Sequence, residues 1–257
     1  MEKTRQIADL LLTQHAEKKA FSNLNGQYQP VSTEEAYMAQ HEFQKRSSRG
    51  PIGGFKIALA SIVQQELCGI NHPIAGGIFS SDIHHSPHKI YLQQYHGLGL
   101  EFELAFKISK TIRSDELMKE GFNLLDHVDE IYPAFELIID RDADYNDLSA
   151  LTLIADNAWS GGVVLGNSIK NWQSLDFYKL KSTLYWNNDA PVEAKIIDAN
   201  PLTSLEWVIN HLGNMGLEIP KDSIIITGSV LKTRKPLKKD KVIYKVDELA
   251  EVEVLII

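Results

Sequence analysis

Leu98-Gly99-Leu100-Glu101-Phe102-Glu103-Leu104-Ala105-Phe106-Lys107-Ile108 alternates without a break: every even position is large and apolar, and the odd positions between them are Gly, Glu, Glu, Ala and Lys. A period of two is that of a β-strand with one face in a core. Glu101 and Glu103 then leave the same face, roughly 7 Å apart along the strand. Two carboxylates at that distance repel by about 2 kcal/mol at an effective dielectric constant of about 20. A pocket that holds both needs a cation, or a proton kept on one of them.

Working outward, a second apolar stretch, Ile131-Tyr132-Pro133-Ala134-Phe135-Glu136-Leu137-Ile138-Ile139, carries one acid in its middle. Burying Glu136 without a partner is costly. If the two strands are neighbours, three carboxylates converge, and an all-oxygen trio suits a hard divalent ion, Mg²⁺ or Mn²⁺. On spacing alone the alternative stands: Glu101 and Glu103 decorate a solvated strand face, and Glu136 keeps a local ion pair.

Upstream, Gly53-Gly54-Phe55-Lys56-Ile57-Ala58-Leu59 is a short strand, and Ser61-Ile62-Val63-Gln64 opens a helix closed by Gly69. Lys56 either snorkels to the surface or points inward, where burial lowers its pKa and suits it to act as a base or as an anion's partner. Residues 2–20 and Ser32 to Arg46 read as two amphipathic helices, the second opened by a capping box. Ser114 to His127 and Thr203 to Gly216 read as further helices, Ser223 to Thr227 as a buried strand, and Val242 to Ile257 as two more strands. Lys232 to Lys239 reads as a solvated basic hairpin, and His84-His85-Ser86-Pro87-His88 as a solvated loop whose spacing fits no helical ligand pair.

The formal charge of −8 on 257 residues argues against nucleic acid or an anionic membrane as the main partner. No apolar run approaches the ~18 residues that cross a bilayer, and the polar amino terminus does not read as a signal peptide. The single cysteine, Cys68, permits no intramolecular disulfide and reads as buried filler. The expectation is a cytoplasmic protein of one structural unit, residues 51–257, with an N-terminal helical extension over residues 1–50. Strands dominate and helices intervene irregularly, which gives an α+β class.

Taken in order, Gly54 to Leu59 with Gln64-Gln65 and Gly69, His72-Pro73 with Gly76 or Gly77, Glu101 to Phe106, Pro133-Ala134-Phe135-Glu136, Ile154-Ala155-Asp156-Asn157-Ala158 with Val164-Leu165-Gly166, and Ile226-Thr227-Gly228 resemble the fumarylacetoacetate hydrolase superfamily. The branch is that of 2-oxopent-4-enoate (2-hydroxypentadienoate) hydratases and 4-oxalocrotonate decarboxylases. The resemblance implies a mixed-sheet, barrel-like fold, with Mg²⁺ or Mn²⁺ on Glu101, Glu103 and Glu136. It places Lys56 in the active site as the group exchanging protons at carbon, with Asp82 a weaker catalytic candidate and Asn157, Ser160 and Arg141 as substrate-binding candidates. A salt bridge is the competing reading of Arg141.

The reaction it implies is addition of water to a 2-oxo-4-enoate or its 2-hydroxydienoate tautomer, giving a 4-hydroxy-2-oxoacid. Decarboxylation of 4-oxalocrotonate is the nearest rival, followed by hydrolysis of an acylpyruvate and by a role as a non-catalytic partner. The expected partners are a small 2-oxoacid, further copies of the chain in a homo-oligomer, and a related decarboxylase. Trp159 stands where the family commonly has Ser, so Trp159 narrows the pocket or Ser160 takes over. Ala199-Asn200, Lys221-Asp222 and Lys239-Asp240 replace glycine-bearing pairs, and without glycine's access to positive φ those loops are expected to be built differently.

Overall fold

The computed structural model describes residues 2–117 and 119–257. The chain opens with helices α1 (Glu2–Ala16) and α2 (Thr33–Arg46), then β1 (Ile52–Ala58), α3 (Ile62–Leu67), β2 (Ile74–Phe79), β3 (Ile83–His85) and β4 (His88–Ile90). The two long strands β5 (Leu98–Ile108) and β6 (Val128–Ile139) follow, then α4 (Ala150–Ala155) and β7 (Ser160–Leu165). The remainder is β8 (Lys181–Trp186), β9 (Val192–Lys195), α5 (Pro201–Asn214), β10 (Ile224–Ile226), β11 (Lys241–Val246) and β12 (Ala250–Ile256).

Among the described residues, the strands form two sheets. A mixed sheet runs β2-β1-β10-β5-β6-β7-β3, and a second runs β4-β12-β11-β8-β9. β5 lies at the centre of the first, and its alternation decides how the two sheets meet. Leu98, Leu100, Phe102, Leu104, Phe106 and Ile108 enter one core with Phe135 and Leu137 of β6 and with Tyr244, Val252 and Val254 of the second sheet. The Phe102 ring lies 5.9 Å from those of both Phe135 and Tyr244. The opposite face of β5 turns into the curl of its own sheet, where Ala105 packs with Ala134, Val163, Ile224 and Ile226. β10 sits between β1 and β5 with all three residues buried, as its unbroken isoleucine run requires.

The N-terminal helices join the core directly. Ile7, Ala8 and Leu11 of α1 and Ala39 and Phe43 of α2 pack with Phe79 of β2 and Ala155 of α4. Ser32 caps α2 and Ser61 caps α3, the latter with the reciprocal bond from Gln64.

Several local expectations are corrected. Between Ser114 and His127 the chain makes turns and a short 3₁₀ segment, Leu124–His127. Met118, inside the expected helix, lies outside the described residues. Gly121 takes φ +82° and the Asn123 side chain accepts from Leu125 N–H, so this segment favours turns over a continuous helix. α5 starts at Pro201, ahead of the expected Thr203 box, because proline at the first helical position is already set for the helix. Residues 232–239 form no hairpin; Arg234 instead exchanges backbone hydrogen bonds with Leu100 at 2.9 and 3.1 Å. His84 and His88 lie half-buried on β3 and β4, with rings stacked at 4.2 Å rather than solvated. The loops that lost glycine keep positive φ all the same: Asn200 at 47°, Asp222 at 67° and Lys239 at 78°.

Phe102→Ala should cost about 3–5 kcal/mol of unfolding free energy, because it empties the junction of both sheets. The exposed Val63→Ala should change it by less than about 0.5 kcal/mol. Urea titrations followed by circular dichroism check both.

Candidate functional site

The pairing of β5 with β6 sets Glu101 directly opposite Glu136, and Glu103 projects from the same face two residues on. Ligand oxygens of the three lie within 4.8 Å of one another. Glu103 and Glu136 are 0% and 1% exposed, whereas Glu101 is half-buried at the opening. Gly228 N–H donates to Glu103 Oε2 at 2.7 Å, and Thr233 Oγ1–H donates to Glu101 Oε1 at 2.5 Å. Glu103 Oε1 and Glu136 Oε2 are buried with no hydrogen-bond donor. Lys56 points inward from β1, its Nζ 2.5 Å from Glu136 Oε1 and donating to the Ala158 carbonyl at 3.1 Å.

Three carboxylates and one ammonium enclosed this way carry an excess of two negative charges. The donor set fits a hard divalent cation: it offers carboxylate oxygens only, and two of them lack any donor. Burial is the main force lifting the Glu103 carboxyl well above its usual range, and repulsion from Glu136 and Glu101 adds to it. Burial likewise raises Glu136 to about 7, with Lys56 pulling the other way. For Lys56, burial pulls downward, but attraction to Glu136, Glu101 and Glu103 outweighs it, and the net shift is upward. The inward expectation for Lys56 therefore holds while its pKa moves opposite to the direction expected; it is an ammonium facing carboxylates.

A strained turn supports Lys56. Asn157, Ala158 and Trp159 stand at φ 54°, 49° and 58°, three successive non-glycine residues in the left-handed region. The Asn157 side chain holds the turn against β2, its Oδ1 accepting from Gly77 N–H and Gln44 Nε2 and its Nδ2 donating to Gly77 O, each at 2.8 Å. Gly76 permits that approach, since a Cβ there would lie 2.7 Å from Asn157 O. Asp156, just before the turn, is buried between Arg141 Nη2 at 2.5 Å and His15 Nε2 at 2.6 Å. Helices α1 and α2 thus brace the turn whose Ala158 carbonyl accepts the Lys56 hydrogen bond.

Two connected spaces open on this centre. An inner cavity of about 140 Å³ is lined by Lys56, Glu101, Ala158 and Gly228, together with Trp159, Tyr145, Leu148 and Cys68. An outer cleft of about 1140 Å³ shares Glu101, Gly228 and Thr233 with it and includes Asn200 and Trp207. Cys68 is a buried thiol whose pKa is raised by burial.

The structure brings Lys56, Glu101, Glu103 and Glu136 together. It does not bring Asp82, Arg141 or Ser160 to the cavity wall. Asp82 closes the Ser80–Asp82 turn, beyond the Ile52 end of β1, and is ion-paired with Arg49 at 2.6 Å. Arg141 is buried behind the turn on Asp156, with Lys19 O and Gln14 Oε1 at 3.3 and 3.4 Å. Ser160 opens β7, its carbonyl accepting from Arg49. Asn157 lies beside the cavity but spends its side chain on Gly77 and Gln44. Trp159 lines the inner cavity. Tyr145, Leu148 and Thr233 were not picked out from the sequence: Tyr145 and Leu148 lie in an irregular segment, and Thr233 lies in a basic run.

No protein-family model matches the chain. It is 26% identical over 217 residues to the 2-keto-4-pentenoate hydratase of Paraburkholderia xenovorans (strain LB400), across 82% of this chain and 79% of that one. It is 25% identical over 247 residues to the 2-oxo-hept-4-ene-1,7-dioate hydratase of Escherichia coli, across 91% and 90%. In fold it is similar to a 4-oxalocrotonate decarboxylase from Pseudomonas putida G7 solved with magnesium and adipate, at TM-score 0.86 and 20% identity over 100% of this chain and 98% of that one. A fumarylpyruvate hydrolase from Pseudomonas aeruginosa, solved with Mn²⁺ and pyruvate, is more distant at TM-score 0.55 and 12% identity, across 81% and 91%. The fold is that of the fumarylacetoacetate hydrolase superfamily. The sequence relatives are enzymes of its hydratase and decarboxylase branch, so the resemblance drawn from the motifs holds. Among the described residues, no helix is long and apolar enough to cross a membrane.

Two outcomes follow. A carboxyl raised from 4.5 to about 7, as Glu136 is, binds more protons folded than unfolded in that window, so metal-free stability falls as pH rises through it. A cation needs those carboxylates ionised, so the rise in Tm on adding Mn²⁺ should be larger at pH 8 than at pH 5.5, as scanning fluorimetry would show. Asn157→Ala leaves the Gly77 N–H and C=O unpaired and should lower stability by about 1–3 kcal/mol in denaturant titration.

Proposed function

We propose that the protein is a divalent-metal-dependent lyase that adds water to 2-oxopent-4-enoate, or its 2-hydroxypenta-2,4-dienoate tautomer, to give 4-hydroxy-2-oxopentanoate. The observation that carries this reading is the convergence of Glu101, Glu103 and Glu136 beside Lys56, with Lys56 and Glu101 on the wall of an apolar cavity and Glu101 also facing an open cleft. Glu101, Glu103 and Glu136 would hold Mg²⁺ or Mn²⁺. Bound there, the ion supplies Lewis acidity to a substrate's carboxylate and 2-oxo oxygens and lowers the energy of an enolate.

Lys56 holds a proton at Nζ between Glu136 and the Ala158 carbonyl. From the wall of the inner cavity it can pass that proton to a substrate carbon and take one back. Ala158 and Glu136 fix the direction of Nζ, so little reorientation is needed when charge shifts. Leu148, Leu153 and Ile138 give the inner cavity an apolar wall, and the outer cleft is the wider space through which water can reach Glu101. The relatives' names support a 2-oxoacid substrate, and the metal-bearing neighbours support a divalent ion.

Purified protein with Mg²⁺ or Mn²⁺ should remove the ultraviolet absorbance of 2-hydroxypenta-2,4-dienoate, with 4-hydroxy-2-oxopentanoate identified by NMR. Glu103→Gln should lower turnover at least about a hundredfold, since it changes a ligand rather than the weaker outer shell. Lys56→Met should retain metal binding while losing turnover. Absence of turnover in the metal-loaded wild type would remove the hydratase reading and leave 4-oxalocrotonate decarboxylation and the non-catalytic partner, which an assay with 4-oxalocrotonate separates.

A further inference from the structure

The inner cavity has few polar side chains, Lys56, Glu101, Gln64 and Thr233 among them, and a largely apolar wall of Leu59, Ile74, Ile138, Leu148, Leu153 and Trp159. Leu67 and Tyr145, 51% and 47% exposed, complete it on the solvent side. Ile74, Leu153, Ala158, Trp159 and Cys68 belong to one continuous hydrophobic cluster, with Leu59 and Leu148 packed on it. Among the described residues lining this cavity, Lys56 is the one cation, and it is committed to Glu136. The Tyr145 hydroxyl donates to Asp140 at 3.1 Å, and Gln64 lines both spaces and so sits at the mouth. One neutral donor, Trp159 Nε1, is buried without a partner.

We infer that this cavity is a tail subsite: it takes an uncharged hydrocarbon substituent on the carbon chain of the 2-oxoacid and rejects a substrate whose tail ends in a carboxylate. The inference rests on the functional reading above, which puts the oxoacid head at Glu101. From there the chain can run inward or outward. The outer cleft mixes Ser61, Asn200, Thr203, Ser204 and Ser229 with Trp207, Val230 and Leu231, and it carries one cation, Lys232, and the Asp198 carboxylate. A hydrocarbon tail gains by leaving water for the apolar end. A carboxylate driven into the same space would lose its hydration with no cation to receive it.

Charge agrees with this assignment. Three glutamates, one lysine and a divalent ion sum to zero at the neck, leaving nothing to hold a second anionic group deep inside. The Escherichia coli relative is named for a 1,7-dioate, so the cavity separates two substrate classes within one set of relatives. Trp159 and Tyr145, packed edge to face with ring centroids 5.7 Å apart, line this cavity together and limit how bulky the tail can be.

The test is binding, read by calorimetry on Mg²⁺-loaded protein with the matched acids 2-oxopentanoate and 2-oxoglutarate, which differ by a terminal methyl against a terminal carboxylate. Wild type should bind 2-oxopentanoate at least about tenfold more tightly. Leu148→Lys, which adds a cation to the wall, should narrow or reverse the preference. Equal binding, tighter 2-oxoglutarate binding, or no binding of either acid overturns the inference. So does 2-oxoglutarate binding that is lost in Lys232→Ala, which would place the tail in the outer cleft. Preference for 2-oxopentanoate without any dienoate turnover would leave the tail subsite standing and remove the hydratase reading alone.

Discussion

Three carboxylates on one face of a sheet, enclosed by apolar residues, cannot all stay ionised without a counter-charge, and this constraint orders the structure. β5 and β6 supply the acids because their register sets Glu101 against Glu136. β1 brings Lys56 across the curl, and the loop after β10 brings Gly228 N–H and Thr233 to the outer oxygens. One lysine offsets one acid, so the remaining excess makes the centre a place for a divalent cation. Everything around it either excludes water or fixes the direction of a charged atom.

The strain at Asn157 to Trp159 belongs to the same scheme. Left-handed backbone at three consecutive residues is unfavourable by about 1–3 kcal/mol each and persists only where the surroundings over-determine it. Here Asn157 is clamped by β2 and α2, and Asp156 is clamped by Arg141 and by His15 of α1. The reward is a carbonyl aimed at Lys56. The N-terminal helices, which carry no reacting group, therefore act on the site through packing and hydrogen bonds.

Much of this was legible in the sequence, because period-two alternation names a strand's buried face and thereby the face that carries Glu101 and Glu103. That Glu136 needs a partner followed from the cost of burying a lone charge, while the trio of acids and the inward direction of Lys56 rested on the family motifs. The net rise in the Lys56 pKa was not legible, since it depends on distances to three acids on two other strands. Asp82 was placed at the site by motif register, yet the turn at Ser80–Asp82 carries it past the end of β1 to Arg49. Asn200, Asp222 and Lys239 show that a left-handed position need not be glycine when Asn, Asp or a long exposed side chain tolerates it. The turns found after Ser114 among the described residues show the acidic first-turn signal overridden at Gly121, whose positive φ interrupts a helix.

The most direct test of the central claim is an anomalous difference map from crystals grown with Mn²⁺. One strong peak per chain is expected between Glu101, Glu103 and Glu136, at about 2.0–2.3 Å from their oxygens. A map with no peak there, or with its only peak elsewhere, for instance at His84 and His88, would contradict it.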